Sequence, residues 1–243
     1  MKHKFSPTRV FGDCDITHQS IFSCLTPGQL EYISIHKDCL VYKKGQHIFN
    51  EGSYPLGIYG IDKGKVKLEH SGDDGKMQIL RMAKGGDLLG YRALFCQEKY
   101  NASAVAIEDA NLFFIPKDIF LEVLHDNMKL ALNIIQLLTH DLKQAENHLT
   151  ELAQKPVRER MARGLLFLKE TYGLEEDQQT INVSLSREEI ADLIGTATET
   201  AIRLLSELKT DGIIAFAGKR IQILNLMKLN KVAHNYQNEF AWN

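Results

Sequence analysis

The segment at 186–205, SREEIADLIGTATETAIRLL, constrains the fold most, because it reads as two short helices joined by a sharp turn. Ser186 is an N-cap candidate, and Glu189 three residues on completes a capping box. Ile190, Leu193 and Ile194 give the first helix one apolar face. Gly195 can take the left-handed conformation that a tight turn requires. The second helix keeps Ala201, Leu204, Leu205 and Leu208 on a buried stripe, which leaves Thr198, Glu199, Ile202 and Arg203 exposed near its start. An ordinary helical hairpin with a solvated face is the plain alternative. The cap, the turn and the exposed face all fall at the offsets of a helix-turn-helix, in which the second helix meets base edges in a DNA groove.

The flanking sequence extends this reading. Thr210-Asp211-Gly212 ends the second helix, and 213–216 and 220–224 read as short strands around Ala217-Gly218-Lys219, a hairpin beside the helices. This makes a winged helix, with Lys219 and Arg220 at the wing tip within reach of phosphate. Upstream, 157–172 is an apolar helix (Met161, Leu165, Leu166, Leu168) that forms the back of the same domain. A net charge of -2 counts mildly against nucleic-acid binding but does not exclude it, since only a local patch must be positive.

The front half differs in character. Between 41 and 116, short apolar or alternating runs are separated by glycines, and 58–61, 66–69, 78–82, 102–106 and 111–115 read as strands. Such spacing indicates a sandwich or barrel of the jelly-roll kind, with the glycines serving as turn residues. The expected class is therefore α+β: an N-terminal β jelly roll, a long helix and a C-terminal winged helix-turn-helix. The long helix spans about 126–154. Leu138, Leu142, Ala145, Leu149 and Leu152 follow steps of four and three, the seam of a two-stranded parallel coiled coil and hence of a homodimer. Its first turns, with Leu130 and Leu132, are expected to pack on the barrel. Lys155-Pro156 breaks the helix and serves as a hinge. The expected domains are an arm at 1–20, a sensor barrel at 21–125, a dimer helix at 126–155, a DNA-binding domain at 156–226 and a tail at 227–243 that reads as a short added helix with a frayed end.

No apolar run approaches a membrane span, and the start MKHKFS lacks the core of a signal peptide, so a cytoplasmic protein with no membrane partner is expected. Cys14, Cys24, Cys39 and Cys96 lie at scattered spacings that fit reduced thiols better than a disulfide framework, with Cys39 at a helix end. No catalytic constellation of His, Asp, Ser or paired carboxylates is evident, so an enzyme is not expected.

Barrel, long helix, Pro-containing hinge and winged helix, in that order, resemble the CRP/FNR family of bacterial transcription regulators. The resemblance rests on Lys44 to Gly52 (KGQHIFNEG), Ile61 to Val66 (IDKGKV), Gly85 to Gly90 (GGDLLG) and the stretch at 186–205. It implies a cyclic-nucleotide-binding-like barrel, DNA binding to an inverted repeat and RNA polymerase as a partner. Glu199 and Arg203 stand where the family reads base edges; Arg suits guanine O6 and N7, and Glu can accept from cytosine N4. Thr198 stands where the cyclic-AMP-responsive branch has Arg, and Ile202 where the oxygen-sensing branch tends to have Ser. Ser186, Arg187 and Thr200 occupy phosphate-contacting places.

The resemblance fails at the sensor. Gly90, Tyr91, Arg92, Asn101 and Ala102 fall in the phosphate cassette, where the effector pocket of such a barrel lies. Tyr91 replaces the ribose-binding Glu, Asn101 and Ala102 replace the phosphate-binding Arg and Ser, and Ala145 and Glu146 replace the adenine-contacting pair. A cyclic phosphodiester needs a charge-assisted partner; Arg92 alternates away if the local backbone is extended. Cyclic AMP is therefore disfavoured. Neither an iron–sulfur cluster nor haem is supported by spacing: no Cys-x-x-Cys occurs, and none of nine His stands out as a ligand, so no metal is assigned. The effector stays unknown. Two functions remain open: a dimeric DNA-binding regulator, and a ligand- or redox-sensing signalling module whose main role is not DNA binding. The face at Thr198, Glu199 and Arg203 beside a wing favours the first.

Overall fold

The computed structural model describes residues 8–9, 14–16, 19–72 and 75–234. The chain divides into two compact units, 1–143 and 144–243. In the first, a five-stranded antiparallel sheet is ordered β1 (Thr8–Arg9), β2 (Asp38–Tyr42), β9 (Ala110–Pro116), β4 (Gly57–Lys63), β7 (Leu88–Leu89). It faces a four-stranded sheet ordered β3 (His47–Phe49), β8 (Ser103–Ala106), β5 (Lys65–Ser71), β6 (Met77–Lys84). This is the jelly-roll sandwich that the glycine-marked runs imply. The five expected strands are β4, β5, β6, β8 and β9; β1, β2, β3 and β7 are additional.

Strands β4 and β9 are buried on both faces. Leu112 and Ile61 point into the sandwich with Tyr42, Phe49, Val66 and Leu89. Ile58, Phe113 and Ile115 point the other way, against Phe22, Ile33, Phe120, Leu130 and Ile134. The second layer is supplied by α1 (Pro27–His36), α3 (Lys117–His125) and the start of α4 (Met128–Gln154). Gly60 pairs directly with Phe113 in the ladder, and a Cβ there would lie 2.0 Å from the Phe113 ring. The glycine is what lets that ring cross the strand.

Three local expectations are corrected. The long helix begins at Met128 rather than 126, because Asp126 closes α3 and the Asn127 side chain accepts from the Leu130 amide. Leu130 is buried on the barrel, whereas Leu132 is 50% exposed; Ile134, one turn on from Leu130, takes that place. Cys39 lies on β2 and not at a helix end, which brings it to Cys14 with Cα atoms 5.9 Å apart, and the two form a disulfide. Cys24 is a half-buried free thiol and Cys96 an exposed one.

The second unit holds α5 (Val157–Tyr172), α6 (Arg187–Ile194), α7 (Thr198–Thr210), the hairpin of β10 (Ile214–Ala217) and β11 (Arg220–Ile223), and α8 (Leu226–His234). Met161, Leu165, Ile190, Ile194, Ala201, Leu204, Leu205 and Leu208 are buried in its core. The short added helix expected at the start of the 227–243 segment is α8. In α8, Leu229 and Ala233 are buried, and the Ala233 carbonyl accepts from Arg163 of α5; residues 235–243 lie outside the described residues. Ahead of α6, Asp177 accepts from the Thr180 hydroxyl and from the Thr180 and Gln179 amides, which holds its carboxyl down at about 2.

Two outcomes follow from this packing. Gly60→Ala should lower stability by about 3 kcal/mol through overpacking against Phe113, read from the urea midpoint. The Asp177 pKa is depressed from a free value of roughly 3.9. Its contribution to stability is complete above that value and is lost as pH falls towards about 2. Asp177→Asn should flatten the stability profile in that window, measured by thermal melts between pH 5 and 2.

Candidate nucleic-acid interface

The turn in the second unit is built from short-range signals. Ser186 Oγ accepts from the Glu189 amide at 3.0 Å, and Glu189 accepts from the Ser186 amide at 2.8 Å, so the capping box is complete. Gly195 caps α6 at φ 67. With Ala201, Leu204, Leu205 and Leu208 buried, α7 exposes Glu199, Ile202 and Arg203, while Thr198 and Thr200 are half-buried; Ile202 is 47% exposed and the Arg203 side chain 64%.

Several side chains that sequence reasoning passed over hold this face. The Arg160 guanidinium donates to the carbonyls of Ile194 at 3.0 Å, Gly195 at 3.0 Å and Lys155 at 2.9 Å. One planar cation thus satisfies the end of α6 and the last carbonyl before Pro156. Phe216 of β10 is flanked by two cations, Arg187 at 4.3 Å and Lys209 at 5.4 Å from its ring centre, which tie the wing to both helices. Burial lowers the Arg187 pKa from its ordinary value. Lys219 is exposed at the wing tip beside Gly218, while Arg220 forms an ion pair with Glu175. Arg203 donates to Glu207 at 2.6 Å, and Glu207 also accepts from Arg158.

The cassette residues take up different environments. Residues 91–96 form a helix, α2 (Tyr91–Cys96), so Arg92 turns outward by helical spacing rather than by alternation. Asn101 is exposed and Ala102 buried. Gly90 packs under Tyr100: a Cβ there would lie 3.2 Å from the Tyr100 hydroxyl, and Tyr100 stacks on Phe49 at 3.9 Å. Tyr91 points inward. Its hydroxyl donates to Asp141 of α4 and accepts from Arg81 of β6 at 2.7 Å, with Arg81 and Asp141 3.5 Å apart. Burial pushes the Tyr91 hydroxyl well above its ordinary pKa, against the pull of Arg81 and with help from Asp141. Burial alone would lower Arg81, but facing Tyr91, Asp141 and Asp87 holds it above its ordinary value. Among the described residues no three His, Cys, Asp or Glu side chains are grouped as metal ligands, and no helix is long and apolar enough to cross a membrane.

Along α4, Leu142 is 60% and Leu149 68% exposed, Ala145 is exposed, and Leu138 and Leu152 are half-buried within the chain. The exposed apolar row runs further back than the sequence suggests, through Ile135 at 56% and Met128 at 74%, at heptad spacing with Leu142 and Leu149.

A jelly-roll barrel with such a helix and a winged helix-turn-helix defines a class of DNA-binding regulator. The chain matches the cyclic nucleotide-binding domain family over 39–127 and the Crp-like helix-turn-helix domain family over 159–232. It is 30% identical to the transcriptional regulator LdrP of Thermus thermophilus over 193 residues, covering 79% of this chain and 95% of that one. It is 25% identical to the CRP-like cAMP-activated global transcriptional regulator of Mycobacterium tuberculosis over 219 residues, covering 90% and 98%. A solved CRP/FNR-family regulator, also from Thermus thermophilus, superposes with a TM-score of 0.68 at 28% identity, covering 81% and 98%. The chain therefore belongs to the CRP/FNR family of transcription regulators.

The Arg81–Tyr91–Asp141 cluster has a measurable consequence. Asp141→Ala should cost about 2 kcal/mol, less than for a fully buried pair because Arg81 and Asp141 keep 25% and 31% side-chain exposure. Tyr91→Phe should cost about 1 kcal/mol through one lost hydrogen bond. Urea unfolding followed by circular dichroism checks the order of the two.

Proposed function

We propose that the protein acts as a homodimer that binds an inverted-repeat promoter site in a sequence-specific way, reading the core of each half-site with Glu199 and Arg203. The observation that carries this reading is the exposed face of α7, set by a capped α6 and a glycine turn. Arg203 reads a guanine and Glu199 a cytosine N4, while Thr198 and Ile202 set outer preferences, Ile202 against a thymine methyl. Ser186, Arg187, Thr200 and Lys219 position the protein on phosphate; Arg220 does so from beside Glu175. The exposed row Met128, Ile135, Leu142, Leu149 is covered by a second copy, with Ala145, Leu138 and Leu152 alongside. Two copies place the half-sites about one helical turn apart. The family likeness supports RNA polymerase as a partner, and no enzymatic role is assigned.

Cyclic AMP is not the signal in this reading. The relative from Mycobacterium tuberculosis is cAMP-activated by name, but here Tyr91, Asn101 and Ala102 offer a cyclic phosphodiester no cation, and Tyr91 is engaged with Arg81 and Asp141. An event at the barrel reaches α4 through that cluster and shifts the balance between DNA-competent and incompetent dimers, with the Lys155-Pro156 hinge as the moving point.

Arg203→Ala should weaken operator binding by about 1–3 kcal/mol and relax preference at one G·C pair; retention of both in a gel-shift titration would remove α7 from the reading. Lys219→Ala should weaken all DNA alike and reduce the salt slope by about 1. Leu142→Glu combined with Leu149→Glu should convert the dimer to monomer in sedimentation velocity.

A further inference from the structure

Behind the base-reading face, the second unit carries a row of four alternating charges that ends on Arg203. Asp211 accepts from Arg158 Nη2 at 2.6 Å, Glu207 Oε2 accepts from Arg158 Nη1 at 2.9 Å, and Glu207 Oε1 accepts from Arg203 Nη1 at 2.6 Å. Arg158 lies on α5, one residue into the helix that follows the hinge; the other three lie on or directly after α7. We infer that Glu207, buttressed by Arg158, is a specificity-determining residue that orients the Arg203 guanidinium for the base it reads. The inference rests on Arg203 being a base contact.

An isolated, exposed pair one helical turn apart is weak. Glu207 differs in that both of its carboxylate oxygens are committed, to arginines from two helices, and Arg158 is fixed at its second nitrogen by Asp211. The carboxylate is therefore held from behind while it holds Arg203. The guanidinium has five N–H donors, and the bond to Glu207 uses Nη1 alone. The edge formed by Nε and Nη2 stays free for two parallel bonds to guanine O6 and N7. A long side chain already restrained loses less freedom on binding. The same carboxylate opposes the sequence-independent alternative, in which Arg203 swings to a phosphate, because that move would leave Glu207 facing the DNA backbone with one cation fewer. Glu207 thus sharpens discrimination while lowering non-specific affinity, a signature that a merely structural residue would not give.

The test uses the full-length chain and a duplex selected by the wild type from a random-sequence library. Affinities are measured by fluorescence anisotropy for that duplex, for one with the read G·C pair replaced, and for an unrelated duplex, across a salt series. Glu207→Gln should lower the ratio of specific to non-specific affinity about tenfold, with non-specific affinity raised. Arg158→Lys, which keeps the charge and loses the fork, should lower the ratio about threefold. Unchanged ratios in both variants, with Arg203→Ala still relaxing preference, overturn the buttress and leave the base contact standing. If Arg203→Ala leaves preference intact, the base contact itself is wrong and the role of Glu207 falls with it.

Discussion

An α-helix can hide one apolar stripe against its own chain, and α4 carries two. Leu130 and Ile134 are buried on the barrel, while Met128, Ile135, Leu142 and Leu149 form an exposed row at heptad spacing. A row of large apolar side chains at that period marks a surface that another helix can cover. In the proposed reading a second copy is the occupant, and it also makes sense of the exposed face of α7. One copy of that face would meet only a few base pairs. Two copies related by a two-fold axis would meet an inverted repeat, with the affinity of each half-site multiplied by the presence of the other.

The recognition surface is stiffened from behind rather than from its own face. Arg160 binds the carbonyls at the end of α6 and the carbonyl of Lys155 with a single guanidinium, so the helix-turn-helix and the residue before Pro156 share one anchor. Phe216 sits between Arg187 and Lys209 and fixes the wing to the helices. In the barrel, Arg81, Tyr91 and Asp141 join a strand, a short helix and α4 at the place where the family's cassette resemblance would seek an effector. Side chains of the chain itself fill that role of connection.

What was legible in the sequence was local. The Ser186/Glu189 box, Gly195 and the buried stripe of α7 depend on residues three or four apart, and each has one physical outcome. The glycine-separated strands were visible for the same reason. Long-range pairings left no such trace. Arg160 finds its partners in backbone carbonyls of a distant turn, and Arg81 and Asp141 are brought to Tyr91 only by the packing of three elements. Strand β7 has two residues and no period, and β2 follows α1 so closely that Cys39 read as a helix end. The Cys14–Cys39 disulfide was hidden with it. The exposed row on α4 was legible only in its later half; the part at Met128 and Ile135 is seen only from their exposure in the fold.

If two winged helices act as one unit on one inverted repeat, tight binding depends on the separation of the half-sites in a selected duplex. Inserting about half a helical turn between them should abolish tight binding, a full-turn insert should restore part of it at most, and a lone half-site should bind orders of magnitude more weakly. Equal affinity for the lone half-site, the half-turn insert and the intact repeat would rule out joint action of two copies.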